Sequence, residues 1–465
     1  MKMKKCFRRC GRIWLGLLLA VLAWSEPVRA EDSLYWNTNS SKVTADIRST
    51  EFFRVLQGVS AATGWKVFVE PETAHRVSAK FKDLPPGEAL HILFGDVNFA
   101  LVPATNGGSQ KLFVFRTAIS HATQLMPPAK LGESPAKTAK AIPGELIVRL
   151  KPGMKIEDLA KALGAKVIGR IDSLNAYRLK FEDEAAADAG KEQLANNPDV
   201  ASVENNYSID RPPGPRELTS GAPPPPHLDL KPPSGSDRVL IGLVDTAVQP
   251  LGNGLDAFLQ KQLSVAGEAT LDPNSPSHGT SMAETMLRSL QTITKGSTSV
   301  QILPVDVYGP NESTSTFDVA NGIATAVNKG ANPINLSLGS PGDSPLLHDI
   351  ITEGSGKGIV FIGAAGNEPV TTPFYPAAYP EVLAVTALDQ GQLAPYANRG
   401  DFISLAAPGT SVVYYNDRAY YVMGTSASAA YMSGALGGYM DSTHSTAAQG
   451  KTFLGTSFGY KPGGK

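Results

Sequence analysis

The chain has 465 residues, with 42 Lys+Arg against 43 Asp+Glu and a formal charge of −1. An apolar share of 42% and a charged share of 18% exclude a wholly disordered or fibrous chain. The length predicts about three domains of roughly 100–200 residues each.

Residues 1–30 read as an export signal. Lys2, Lys4, Lys5, Arg8, Arg9 and Arg12 form a basic start, and Ile13 to Trp24 is an apolar run too short to span a membrane comfortably. Val28-Arg29-Ala30 resembles a cleavage site with the cut before Glu31. An uncleaved N-terminal anchor is the alternative. No later apolar run is long enough to span, so no integral membrane segment is expected after signal removal. Residues 1–30 hold seven Lys/Arg and one Glu, so the remainder carries −7. A mildly acidic exported protein is not a natural nucleic-acid binder. Cys6 and Cys10 both fall in this segment. Beyond it, disulfides, a thiolate nucleophile and cysteine metal sites are excluded.

Residues 31–117 read as a small α+β domain. VTADIR predicts a strand, and Thr50 is the expected cap of a helix that buries Phe52, Phe53, Leu56 and Val59 and stops at Gly64. WKVFVEP and RVSAKFKDL predict strands, and a second helix is expected from Pro85-Pro86 to Val97. FALVPA and KLFVFR, around Asn106-Gly107-Gly108, predict a hairpin. The pattern ADIRSTEFFRVLQGVSAATGWKVFVEPE…VSAKFKDLPPGEALHILF resembles the short N-terminal domain of secretins and TonB-dependent receptors. The resemblance implies an interaction module, with an envelope protein as partner through residues 43–116.

Residues 118–142 read as a linker. Residues 143–210 give the order βαββαβ, that of ferredoxin-like domains. PGELIVRLKPG…LAKALGAKVIGRIDSLNAYRLKF…LANNPDVASVENNY resembles the propeptide of subtilisin-like proteases. That resemblance implies a domain that packs on the protease in cis and lays its last strand and tail into the cleft. Residues 211–237, with Pro212-Pro213 and Pro223 to Pro226, read as an extended connector where a cut would free the protease.

From Arg238 the apolar runs RVLIGLVDT, SVQILPVDVY, ANPINLSLG, GIVFIGAAGN and EVLAVTAL alternate with helical stretches. Runs of that kind are strands buried on both faces, and the alternation predicts a doubly wound, mainly parallel α/β sheet over residues 238–443. Residues 444–465 read as a tail. In such folds sites gather beyond the carboxyl ends of strands.

Three residues fall at such places. Asp245 ends a strand, His278 opens a helix, and Ser426 opens the small-residue helix of GTSASAAYMSGALGGYM. Acyl transfer by a hydroxyl needs a base, and a carboxylate that orients the base. The order Asp, His, Ser is the subtilisin order. Asn367 could donate to the developing oxyanion beside the N–H of Ser426.

LIGLVDTAV, SHGTSMAETML, INLSLGS, FIGAAGN, YPAAYPEVLAVTALD, LAAPGTSVV and GTSASAAYMSGA are similar, in order, to the segments of subtilisin-like serine proteases. The resemblance implies that Asp245 orients, His278 is base then acid, Ser426 attacks and Asn367 holds the oxyanion. It implies that Ser337-Leu338-Gly339 and Ala364-Ala365-Gly366 line the pocket for the residue before the scissile bond. Small residues there imply room for a sizeable side chain. Leu338 and Gly339 could also pair with the substrate backbone.

There are departures from the family pattern. No proline stands two or three positions after Ser426, Ala247 stands where glycine is commoner, and no acidic loop suits calcium. The closing helix is expected to be curtailed. His75, His91, His121, His227, His348 and His444 show no metal-ligand spacing, so no metal or cofactor is expected. Glu284, six residues after His278, reads as a solvated helix residue.

The implied protein is a secreted or periplasmic serine endopeptidase made as a zymogen, acting on peptides or proteins. The rivals are a catalytically degenerate binding protein of the same fold, and an esterase or transacylase using the same site.

Overall fold

The computed structural model describes residues 33–37, 42–70, 73, 75–103, 109–126, 139–218, 228–231 and 239–460. The expected signal, the turn at 106–108, His227, the run Pro223 to Pro226, parts of both linkers and the last five residues lie outside them. No helix among the described residues is long and apolar enough to cross a membrane. The chain divides into two compact units, Met1–Gly132 and Glu133–Lys465.

The first unit holds β1 (Ser33–Asn37), β2 (Lys42–Glu51), α1 (Phe52–Thr63), β3 (Lys66–Val69), β4 (Arg76–Leu84), α2 (Pro86–Phe94), β5 (Asn98–Val102), β6 (Lys111–Phe115) and β7 (Gln124–Met126). They form two sheets, β1-β2-β4 and β5-β6-β3-β7. The expected hairpin strands pair as β5 and β6. Phe52, Val55, Leu56 and Val59 of α1 are fully buried in the core of this unit. Two expectations change. Glu51, not Thr50, is the α1 cap residue, and it makes no side-chain cap bond. The second helix stops at Phe94, because Gly95 takes a positive φ of 59°. β1 and β7 were not expected from the sequence.

The second unit begins with β8 (Ala141–Leu150), α3 (Ile156–Ala162), β9 (Lys166–Ile171), β10 (Ala176–Lys180), α4 (Glu184–Ala195) and β11 (Val200–Asp210). Their antiparallel sheet has the order β11-β8-β10-β9, as the βαββαβ reading requires. β12 (Arg216–Glu217), β13 (Leu240–Asp245), β14 (Leu263–Ser264), α5 (His278–Thr294), β15 (Gln301–Asp306), β16 (Ser313–Ser315) and α6 (Thr316–Asn328) follow. Then come β17 (Ile334–Leu336), α7 (Pro345–Gly356), β18 (Phe361–Ala364), β19 (Val382–Asp389), β20 (Gln392–Leu393) and β21 (Leu405–Pro408). β22 (Thr410–Tyr415), β23 (Arg418–Met423), α8 (Thr425–Thr443) and α9 (Ala447–Phe458) complete the chain.

The large sheet runs β14-β15-β13-β17-β18-β19-β20, with β21 beside β19. All of its pairs are parallel except β19 with β20. Alternate residues of the strands feed opposite faces. Val244, Val305 and Ile334 pack with Phe317 and Ile323 of α6 and Leu347 and Ile351 of α7. Ile241, Leu243 and Ile302 pack with Met282, Met286 and Leu290 of α5 and with Ala427 and Ala430 of α8. This is the doubly wound layer predicted.

α8 is buried because it is small. A Cβ on Gly434 would fall 2.2 Å from the Met286 carbonyl oxygen of α5. Only glycine lets the two helices approach that closely. The expected tail is a helix: α9 has a capping box between Thr446 and Gln449 and seats Leu454 against Leu436 and Met432 of α8. Glu284 is not solvated. It is 2% exposed, accepts from Tyr414 N at 2.9 Å and pairs with Arg288 at 2.5 Å, which ties α5 to β22.

The βαββαβ domain docks by satisfying helix ends. The Asn206 Oδ1 accepts from Thr316 Oγ1 at 3.1 Å and Phe317 N at 3.2 Å, at the start of α6. Glu204 accepts from Ser344 Oγ at 2.8 Å and Leu346 N at 3.3 Å, at the start of α7. These N–H groups have no partner inside their own helices. β11 then continues the sheet onto β16, with Ser208 opposite Ser315 and Asp210 opposite Ser313.

Burial pushes the Glu204 carboxyl up to about 7; the bonds from Ser344 and Leu346 oppose the shift, and the charges of Asp349 and Asp343 add to it. Its folded value therefore exceeds its unfolded one. The associated stability is complete below the unfolded value, near 4.5, and is lost as pH rises through about 7. The loss is on the order of 3 kcal/mol at most. Thermal melts of the full chain from pH 5 to pH 8 test this. Glu204→Gln should lose clearly less stability over that interval than wild type, and parallel curves would contradict it.

Candidate active site

Each candidate side chain is set by the end of an element. Asp245 is the last residue of β13 and is fully buried. Its Oδ1 accepts from Thr246 N at 2.6 Å. α5 begins at His278 with Ser277 as its cap, whose side chain accepts from Thr280 N. A Cβ on Gly279 would lie 2.2 Å from the Thr246 carbonyl oxygen. Gly279 N donates to Thr246 Oγ1 at 2.8 Å. The helix start is thus pressed onto the strand end, and the imidazole meets the carboxylate. His278 Nδ1 lies 2.8 Å from Asp245 Oδ1 and 3.0 Å from Oδ2. A carboxylate can only accept, so Nδ1 carries the proton and Nε2 is left free to accept.

Ser426 is the second residue of α8, where backbone N–H groups lack intrahelical acceptors. Its hydroxyl donates to the Ser337 carbonyl oxygen at 3.0 Å. The serine and the imidazole line one cavity of about 230 Å³, together with Asn367 and residues 212–216.

The Asn367 amide is oriented by its neighbours. Its Oδ1 accepts from Thr425 N at 2.8 Å and Thr425 Oγ1 at 3.1 Å. Thr425 Oγ1 in turn accepts from Gly366 N at 3.0 Å. With Oδ1 occupied, Nδ2 is the free end, beside Gly424 on the cavity wall. Gly424 has φ 144°, and a Cβ there would fall 3.0 Å from Asn367 Nδ2.

A second cavity of about 270 Å³ also borders Ser426. Ser337, Leu338, Gly339, Ala364 and Gly366 line it. Ala365 does not; it is fully buried behind the wall. Phe374, unforeseen from the sequence, also lines it, so the room expected from small residues is partly taken.

Sequence reasoning also missed the polar support beneath the site. Ser433 Oγ donates to Asn335 Oδ1 at 3.0 Å, Asn335 Nδ2 to Ser337 Oγ at 2.9 Å, and Ser337 Oγ to the Ser426 carbonyl at 3.0 Å. All three side chains are fully buried. The chain of bonds fixes the first turn of α8 against β17. Polar residues inside an apolar strand and a small-residue helix were the available signal.

The segment after β11 runs across these cavities. Arg211 N donates to Glu312 O at 2.9 Å, and its guanidinium reaches Gly309 O and Asn311 O at 2.9 Å, lying over the Tyr308 ring. Five residues further on, β12 pairs with β23, Arg216 opposite Tyr421 and Glu217 opposite Tyr420. Pro212-Pro213-Gly214-Pro215 bridges the two ladders past His278 and Ser426. His348 plays no part here; it pairs with Glu381 at 3.1 Å and stacks on Tyr379.

The subtilase family, peptidase S8, matches residues 236–454, and the fervidolysin N-terminal prodomain matches residues 127–206. A thermophilic serine proteinase of Bacillus sp. (strain AK1) is 28% identical over 352 residues, covering 72% of this chain and 88% of that protein. Subtilisin Savinase of Lederbergia lenta is 31% identical over 184 residues, covering 37% of this chain and 68% of that protein. Among solved structures, fervidolysin from Fervidobacterium pennivorans aligns with a TM-score of 0.50 at 20% identity, over 65% of this chain and 55% of that one. The epidermin leader peptide processing serine protease from Staphylococcus aureus aligns at 0.51 with 17% identity, over 70% of this chain and 94% of that one. These two likenesses support the fold. The chain belongs to the subtilase family. It is a subtilisin-like serine endopeptidase preceded by a prodomain.

Proposed function

We propose that this protein hydrolyses peptide bonds through an acyl-enzyme on Ser426 and is made as an exported zymogen. In this reading a substrate carbonyl enters beside Ser426, and the hydroxyl leaves its bond to Ser337 O for His278 Nε2. His278 takes the proton as Oγ attacks, and Asp245 steadies the imidazolium through Nδ1. The oxyanion receives bonds from Asn367 Nδ2 and Ser426 N–H. His278 then returns the proton to the leaving nitrogen. Water enters by the same steps to release the acyl group. The observation that carries the reading is the 2.8 Å pair of His278 and Asp245 opening on the cavity of Ser426 and Asn367.

The strap of residues 211–217 supports latency. It is paired on both sides of the site, so it occupies the path a substrate strand would take. Three of its bonds, Arg211–Pro212, Pro212–Pro213 and Gly214–Pro215, offer a ring nitrogen as leaving group. Proline has no N–H and a fixed φ, which makes these bonds poor candidates for cleavage.

Residues 43–116 serve, in the same reading, as an interaction module for an envelope partner in a periplasmic or extracellular protein. Three of the nine exposed large apolar side chains among the described residues, Ile92, Leu101 and Val102, fall within it and support the reading.

N-terminal sequencing of the accumulated protein tests the zymogen. Wild type should acquire a new N-terminus between residues 208 and 238, and Ser426→Ala should not. The same new N-terminus on both proteins would exclude self-cleavage.

A further inference from the structure

We infer that Phe374 closes the pocket for the residue before the scissile bond, so that the enzyme selects small side chains there. The inference rests on Ser426 being the nucleophile.

The pocket beside Ser426 has two walls. One is Ser337-Leu338-Gly339, running on from β17; the other is Ala364, the last residue of β18, with Gly366 beyond it. Each wall carries a glycine, Gly339 on one and Gly366 on the other, and the space they leave is not open. A Cβ on Gly339 would lie 2.5 Å from Phe374 Cε1, and one on Gly366 would lie 3.2 Å from Phe374 Cγ. The ring therefore packs on Gly339 and lies close to Gly366, where the Asn398 amide is nearer still at 2.4 Å from such a Cβ. It is half-buried and lines the cavity.

The backbone that carries the ring is fixed. Ser340 N donates to Tyr375 O at 2.8 Å, and Tyr375 N to Ser340 O at 2.8 Å. Phe374 O accepts from Ala378 N at 2.9 Å. These three bonds hold the Cα from which the ring projects, so the ring can leave the pocket only by rotating about its own side-chain bonds. A methyl or hydroxymethyl group fits above the ring. An aromatic or long aliphatic side chain must displace it, and packed interiors resist such insertion. Phe374 acts on selection only; it touches none of the reacting atoms in this reading.

The test uses the purified protein and two peptides that differ only in the residue before the scissile bond, Ala or Phe. The readout is the ratio of their kcat/KM values, which does not depend on how much enzyme is folded. Wild type should favour Ala by about tenfold or more, the scale on which a pocket rejects excess bulk. Phe374→Leu, Phe374→Ala and Phe374→Gly should move the ratio stepwise toward Phe, with Phe374→Gly reversing it. A merely structural role would instead depress both peptides together and leave the ratio unchanged. A wild type that prefers Phe, or a ratio that is flat across the series, overturns the inference while leaving the nucleophile in place. Absence of any Ser426-dependent turnover of either peptide overturns the parent reading, and this one with it.

Discussion

Asp245→Asn is expected to lower kcat on peptide substrates about 10⁴-fold while leaving the fold intact. The magnitude comes from other triad enzymes, one of them in this family, and not from this chain. The cause is the proton on the imidazole. Asp245 is fully buried, and its carboxylate accepts from His278 Nδ1 and Thr246 N. An amide of the same shape keeps an oxygen for Thr246 N. Its NH₂ then faces Nδ1, which must accept. The proton moves to Nε2, the atom that has to take the serine proton. Folding should change little, since volume and most contacts remain. Steady-state kinetics beside a thermal melt checks both halves. A loss under tenfold would remove Asp245 from the mechanism.

Ser426→Ala is expected to cost about 10⁶-fold in kcat, and His278→Ala about the same. These values too are scaled from a subtilase. The double variant should be no worse than either single one, because a base without a nucleophile, or the reverse, accelerates nothing. Residual turnover above water would come from the Asn367 amide and the Ser426 N–H, which both changes leave in place. Fully additive losses would mean that the two side chains work independently, against the proton transfer proposed.

The sheet and its wound helices were legible because strands buried on both faces read as unbroken apolar runs. Asp245, His278 and Ser426 were legible because each sits at an element end, where the chemistry and the local signal coincide. Other features were hidden for identifiable reasons. Phe374 enters the pocket from a loop ten residues after Ala364, and nothing local announces which wall it meets. Glu204 and Asn206 lie in a strand that alternates normally; their role as caps of α6 and α7 depends on docking that local patterns do not encode. Glu284 looked solvated because a charged residue on a helix usually is, yet Tyr414 N and Arg288 satisfy it inside. Helix α9 was a different failure. Thr446 and Gln449 spell its capping box in the sequence, and the signal was available.

The central claim is that the Ser426 hydroxyl, served by His278, is the attacking group. A fluorophosphonate reacts covalently only with a serine so activated, and mass spectrometry of the digested protein locates the adduct. Wild type, once processed, should carry one phosphonyl group on the peptide containing Ser426, and Ser426→Ala should carry none. Equal labelling of both proteins, or an adduct on another residue, would contradict the account.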